Sequence, residues 1–163
     1  MDKKQQDIDE TFMRKALAEA ELARAAGEIP IGAVIACGDR IIARAHNLTE
    51  TLIDVTAHAE MQAITMAANQ LGGKYLPQCT LYVTVEPCTM CAGAIGWAQI
   101  GRLVYGADDE KRGFQRFAPN AQIGRVDSQQ NLQDMGVQSL YVVGCHAYLE
   151  FYAKVGIFCH KPK

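Results

Sequence analysis

Apolar residues recur at helical spacing from Asp9 or Thr11 to Gly27, at Phe12, Ala16, Ala20 and Ala23 with Met13 and Leu17 beside them. This predicts a helix laid on a sheet, with Gly27 as its stop and Glu19, Glu21 and Arg24 toward solvent. Ile31 to Ala36 is a nearly unbroken apolar run, Gly38-Asp39 supplies a tight turn, and Arg40 to His46 returns with Ile41, Ile42 and Ala43. The pair reads as an antiparallel hairpin entered through Pro30. A polar loop, Leu48 to Val55, precedes a second helical pattern from His58 to Leu71, with Thr56 as its N-cap and Gly72-Gly73 as its end. Ala59, Ala63, Ala67 and Ile64 give that helix a small-residue face suited to close packing.

Alternation at Leu81, Val83 and Val85 makes Cys79 to Val85 a strand, and Pro87 then preorganises a turn into a third helix reaching about Gln99. Arg102 to Tyr105 reads as a further strand. Strand, helix, strand implies a parallel pair with a right-handed crossover. Gly106 to Asn120 is a loop rich in charge and aromatics, followed by a strand at Leu140 to Val143 and a helix from His146 to Val155. The expected class is α/β: a three-layer α/β/α arrangement, its mixed five-stranded sheet flanked by helices, with the site where two helix starts meet beside the sheet.

Length and composition narrow this picture. A chain of 163 residues with 49% apolar content is the size of one domain with a full core, so 1–163 is expected to be a single domain. No window holds the long uncharged apolar run of a membrane span, and Met1 to Glu10 is polar and charged, which points to the cytoplasm. Of six cysteines only Cys88 and Cys91 are clustered, so Cys37, Cys79, Cys145 and Cys159 are read as free thiols. A net charge of -2 argues against a general nucleic-acid binder. Lys111, Arg112 and Arg116, with Arg125 beyond them, read equally as a solvated loop with ordinary charges or as a local hold on an anionic ligand.

The chemistry centres on Thr84 to Ala94. Cys88 and Cys91 are three apart at a helix start, a spacing that suits tetrahedral zinc, and the ring of His58 supplies a third donor. Three protein ligands leave one position open, as a catalytic zinc requires. Glu60 is then the carboxylate that takes a proton from water and hands it to a leaving amine. On an ideal helix His58 and Glu60 would be turned apart by roughly 200°, so both must lie at the frayed first turn. Asn47 ends the second hairpin strand, where its amide can satisfy nearby backbone or read the edge of a purine nucleoside.

At His58-x-Glu60 and Pro87-Cys88-x-x-Cys91 the chain resembles the zinc-dependent nucleobase deaminases. Ile29 to Val34, Asn47, Thr56 to Glu60, Glu86 to Ala94 and Tyr105-Gly106-Ala107 make it more similar to the bacterial tRNA-specific adenosine deaminases. The resemblance runs from about 11 to 120, and 121–163 departs from it. It implies a cytidine deaminase-like fold, one zinc per subunit on His58, Cys88 and Cys91, Glu60 as the catalytic residue, and a homodimer. It further implies that Asn47, Ile29, Pro30 and Asp109 contact substrate, with Val34 in the wall behind, and that the partner is a tRNA anticodon stem-loop. Phe114 and Phe117 are expected to pin their loop to the body. Adenosine-to-inosine deamination at the wobble position is the first reading. The alternatives are a deaminase of a free guanine- or cytosine-type base or nucleoside, and a zinc-stabilised binding module without turnover. Ala92 and Tyr105-Gly106-Ala107 favour the tRNA group over guanine deaminases.

Overall fold

The computed structural model describes residues 3–117 and the backbone of Leu140 and Tyr141. In chain order the elements are α1 (Lys3–Ala25), β1 (Gly32–Cys37), β2 (Arg40–His46), α2 (Ala59–Leu71), β3 (Cys79–Val85), α3 (Thr89–Trp97), β4 (Arg102–Ala107), α4 (Phe114–Phe117) and β5 (Leu140–Tyr141). One sheet runs in the order β2-β1-β3-β4-β5. β1 is antiparallel to β2 and β3, whereas β3–β4 and β4–β5 are parallel, so the sheet is mixed and five-stranded as its apolar runs predict. The helix expected from His146 to Val155, Arg125, Cys145 and Cys159 lie outside the described residues.

Successive strand residues face opposite sides of a sheet, and here each side meets a different helix layer. Val34, Ala36, Tyr82 and Val104 pack with Phe12, Met13 and Ala16 of α1. Ala33, Ile35, Leu81, Val83, Leu103 and Tyr105 pack with Ala59, Ala63 and Ala67 of α2 and with Ala92 and Ile95 of α3. Val34, fully buried under α1, is core. A Cβ on Gly32 would run into the backbone of Ala16 and Ala20, so glycine is what lets α1 lie directly on the start of β1.

α1 begins at Lys3, earlier than the apolar pattern predicts. Its opening turns are Lys- and Gln-rich and largely solvated, and nothing apolar announces them. Their anchor is Asp9, which is 3% exposed and faces the sheet. Its carboxylate accepts from Arg102 Nη1 and Nη2 at 2.7 and 2.6 Å, from the Tyr82 hydroxyl at 2.9 Å and from Gln5 Nε2 at 3.1 Å. Burial disfavours its charge, but the bonds from Arg102, Gln5 and Tyr82 outweigh that and hold its pKa below 3.8. Glu19, expected in solvent, instead approaches His46 Nδ1 at 3.2 Å with its side chain 12% exposed. Glu21 and Arg24 do face solvent and pair with each other.

Removing one partner of a buried ion pair strands the other's charge, so Asp9→Ala is expected to lower unfolding free energy by about 3 kcal/mol in urea titrations. Because the folded pKa lies below the unfolded one, the contribution is complete above about pH 4 and is lost as pH falls through the folded value. Melts across that range are expected to show wild type losing stability that the variant never had.

Candidate active site

Two helices start at the same place, and each is preceded by a residue that is not itself helical. His58 is the N-cap of α2 with φ -69° and ψ 154°, and Cys88 is the N-cap of α3 with φ -71° and ψ 171°. These extended backbones free both side chains from the helical rotation, so His58 and Glu60 reach one site although an ideal helix would turn them apart. Thr56 is not the cap: its hydroxyl and its N–H both donate to Asp54 Oδ1, at 2.7 and 2.8 Å, closing a turn one step earlier. The other end of α2 is as expected, with Gly72 left-handed at φ 68°.

His58 Nδ1 lies 3.7 Å from Cys88 Sγ and 3.4 Å from Cys91 Sγ, and one donor atom from each residue lies within 4.8 Å of the other two. A tetrahedral zinc with Zn–S near 2.3 Å and Zn–N near 2.05 Å would separate N from S by about 3.6 Å. The two distances bracket that value, so the donor set fits zinc in kind and in spacing. Both helix starts bring partial positive charge to it. The Cys91 thiol hydrogen-bonds to Cys88 and, with His58, draws the Cys88 pKa down to about 4 despite its burial. Cys91 is pushed up, first by that bond and then by burial, and His58 is raised by its bond to Cys88. The surroundings of Cys88 thus favour its thiolate, the form in which a cysteine binds a metal.

Glu60 is 4% exposed in the first turn of α2, and burial raises its carboxyl above 4.5, toward the range of a group that both takes and gives protons. Asn47 follows β2, and the adjoining backbone is tied to the start of α2. The N–H of Leu48 bonds Ala57 O at 3.0 Å, and Gln62 Nε2 bonds His46 O at 2.9 Å. Ile29 is half exposed and Pro30 partly buried on the segment entering β1. Asp109 uses its carboxylate to accept the N–H groups of Lys111 and Arg112, both at 3.0 Å. Arg112 is near enough to oppose protonation of His58, whereas Arg116 donates to Glu110 O at 2.5 Å and lies over the Phe117 ring. Phe114 is buried as an anchor, whereas Phe117 is 58% exposed.

Pattern reasoning missed two buried carboxylates that shape the walls of this site. Glu86 accepts the N–H groups of Asp109 and Gln115, both at 3.0 Å, and a Cβ on Gly113 would collide with it. Glu28 does the same for the loop after Asn47. A glutamate shortly before a proline, as in Glu28-Ile29-Pro30 and Glu86-Pro87, was their only trace in the sequence.

A histidine and two cysteines beside a buried glutamate at paired helix starts is the arrangement of the hydrolytic deaminases. The chain belongs to the MafB19-like deaminase family, whose model matches residues 7–139. It is 56% identical over 102 residues to the tRNA-specific adenosine deaminase of Agrobacterium fabrum, a match spanning 63% of this chain and 67% of that one. A solved structure from work on A-to-I editing by tRNA:A34 deaminases at the wobble position superposes with a TM-score of 0.67 at 49% identity, covering 71% of this chain and 92% of the other. The guanine deaminase of Bacillus subtilis superposes with a TM-score of 0.60 at 32% identity, covering 94% and 97%.

Purified protein is expected to carry one zinc per chain by elemental analysis. His58→Ala and Cys91→Ala should each release it to mild chelator, with a lower melting temperature that added zinc does not restore. Full retention of zinc in both variants would contradict the assignment of the ligands.

Proposed function

We propose that this protein deaminates adenosine to inosine at the wobble position of a tRNA anticodon. The convergence of His58, Cys88 and Cys91 beside buried Glu60 carries the chemistry, and the identity to tRNA-specific adenosine deaminases carries the substrate. His58, Cys88 and Cys91 would hold one zinc per subunit. Zinc so held supplies Lewis-acid chemistry, making water a competent nucleophile at neutral pH. Glu60 removes the proton of the attacking water, delivers it to a ring nitrogen and assists departure of ammonia, so adenosine and water become inosine and ammonia. Burial keeps Glu60 out of competition with solvent for that proton.

Asn47, Ile29, Pro30 and Asp109 are the proposed substrate contacts, on the two segments that flank the helix starts. An anticodon loop presents its bases unpaired, which lowers the cost of drawing one into the site. Lys111 and Arg112, both exposed, offer local positive charge on a chain whose net charge is -2. No described helix is long and apolar enough to cross a membrane. A homodimer working in the cytoplasm, each chain a single domain over 1–163, completes the proposal. The second reading, deamination of a free purine, draws on the likeness to a guanine deaminase over 94% of this chain.

Incubation with a transcribed anticodon stem-loop is expected to yield inosine at the first anticodon base, with no ammonia from free guanine, cytosine or adenosine. Ammonia from a free base alone would establish the second reading. Glu60→Ala is expected to keep its zinc while turnover falls by about 10²–10⁴-fold. An active alanine variant would contradict the proton-carrying role.

A further inference from the structure

Glu28 lies just beyond α1, after Gly27 at φ 77°, and is 5% exposed. Its Oε2 meets Asn47 Nδ2 at 3.0 Å, the N–H of Glu50 at 3.2 Å and the Thr49 hydroxyl at 3.5 Å, and its Oε1 accepts the N–H of Thr51 at 2.7 Å. Burial works against its charge, and the donors, led by the Thr51 N–H, outweigh it and keep the carboxyl below 4.5. Asn47 Nδ2 also meets Thr49 Oγ1 at 3.0 Å, so both of its N–H bonds are spent.

The chemistry of the partners settles which way the Asn47 amide points. A carboxylate accepts only, so the nitrogen must face Glu28, and turning the amide over would set oxygen against oxygen. Among the described residues no donor reaches Asn47 Oδ1, which leaves that oxygen as the group the side chain can offer.

The geometry points to Glu28 as a positioning residue that makes Asn47 an acceptor-only contact and pins residues 47–51 beside the start of α2. It follows that Asn47 recognises a donor on the bound nucleotide, an amino N–H or a hydroxyl, and discriminates against ligands that offer an acceptor there. This rests on the reading of Asn47 as a substrate contact. Glu28 itself touches no substrate in this account and acts through Asn47 and the loop.

Glu28→Gln puts an amide against an amide and allows Asn47 to turn over. With a stem-loop substrate it is expected to raise KM at least about tenfold more than it lowers kcat, the loss of one aligned hydrogen bond to a polar ligand. Asn47→Asp sets two carboxylates together and should be worse. The double variant Glu28→Gln/Asn47→Asp restores a donor-acceptor pair with an oxygen still facing outward, and should recover part of the lost KM. Melting temperature and zinc content accompany each variant, so a fold or metal defect is recognised as such. A KM unmoved in Glu28→Gln, or a double variant no better than the worse single one, would overturn the inference. Wild-type protein inert toward the stem-loop would instead overturn the proposed substrate. Even then, amide exchange at Glu50 and Thr51 still reads the pinning: unchanged protection in Glu28→Gln/Asn47→Ala would overturn it.

Discussion

The site depends on two helices that begin beside each other with an extended residue at each start. Had His58 been helical, its side chain would follow the rotation of α2 and diverge from Glu60, whereas Cys88 and Cys91, three apart, share a face of α3 in any case. Held at the N-caps, His58 and Cys88 turn inward, and four functional groups reach one point from only two short stretches of chain. Neither N-cap side chain makes the usual capping hydrogen bond, so both helix starts forgo a contribution typically worth ~1 kcal/mol in favour of the cluster. Local rules of helix stability give way here, as they tend to at functional sites.

Such an arrangement needs support from outside itself. The sheet gives the first part of it, through β3, which leads directly into the α3 start, and through the β1–β2 hairpin, which leads to Asn47. Small residues allow the layers to approach: Gly32 under α1, and Ala59, Ala63 and Ala67 between α2 and the sheet. The second part comes from Glu28 and Glu86, each buried and each accepting two backbone N–H groups of a loop beside the site. The two glutamates are alike in kind: each is buried in the body and holds a loop beside the site by bonding its main chain.

Most of the sheet and the pairing of Cys88 with Cys91 could be read from the sequence because both are local signals. β3 falls on the predicted Cys79 to Val85, β2 on Arg40 to His46, and Gly72 stops α2, since alternation and left-handed glycine act over a few residues. The cysteine spacing beside Pro87 is local in the same sense. What escaped is what depends on distant partners. Asp9 reads in the sequence only as one possible start of the first helix, and its burial follows from Arg102 and Tyr82, far along the chain. Glu19 looked solvated until His46 came beside it, Thr56 was drawn away from the helix by Asp54, and Phe117 stays more than half exposed. Glu28 and Glu86 carry no periodicity at all, and their roles emerge only when the loops they hold are folded against them.

X-ray absorption at the zinc edge of the purified protein tests the central arrangement most directly. Two sulfur neighbours at about 2.3 Å, one imidazole nitrogen at about 2.0–2.1 Å and one further light-atom neighbour from solvent are expected. A spectrum fitted by four protein donors, or one lacking the two sulfurs, would contradict it.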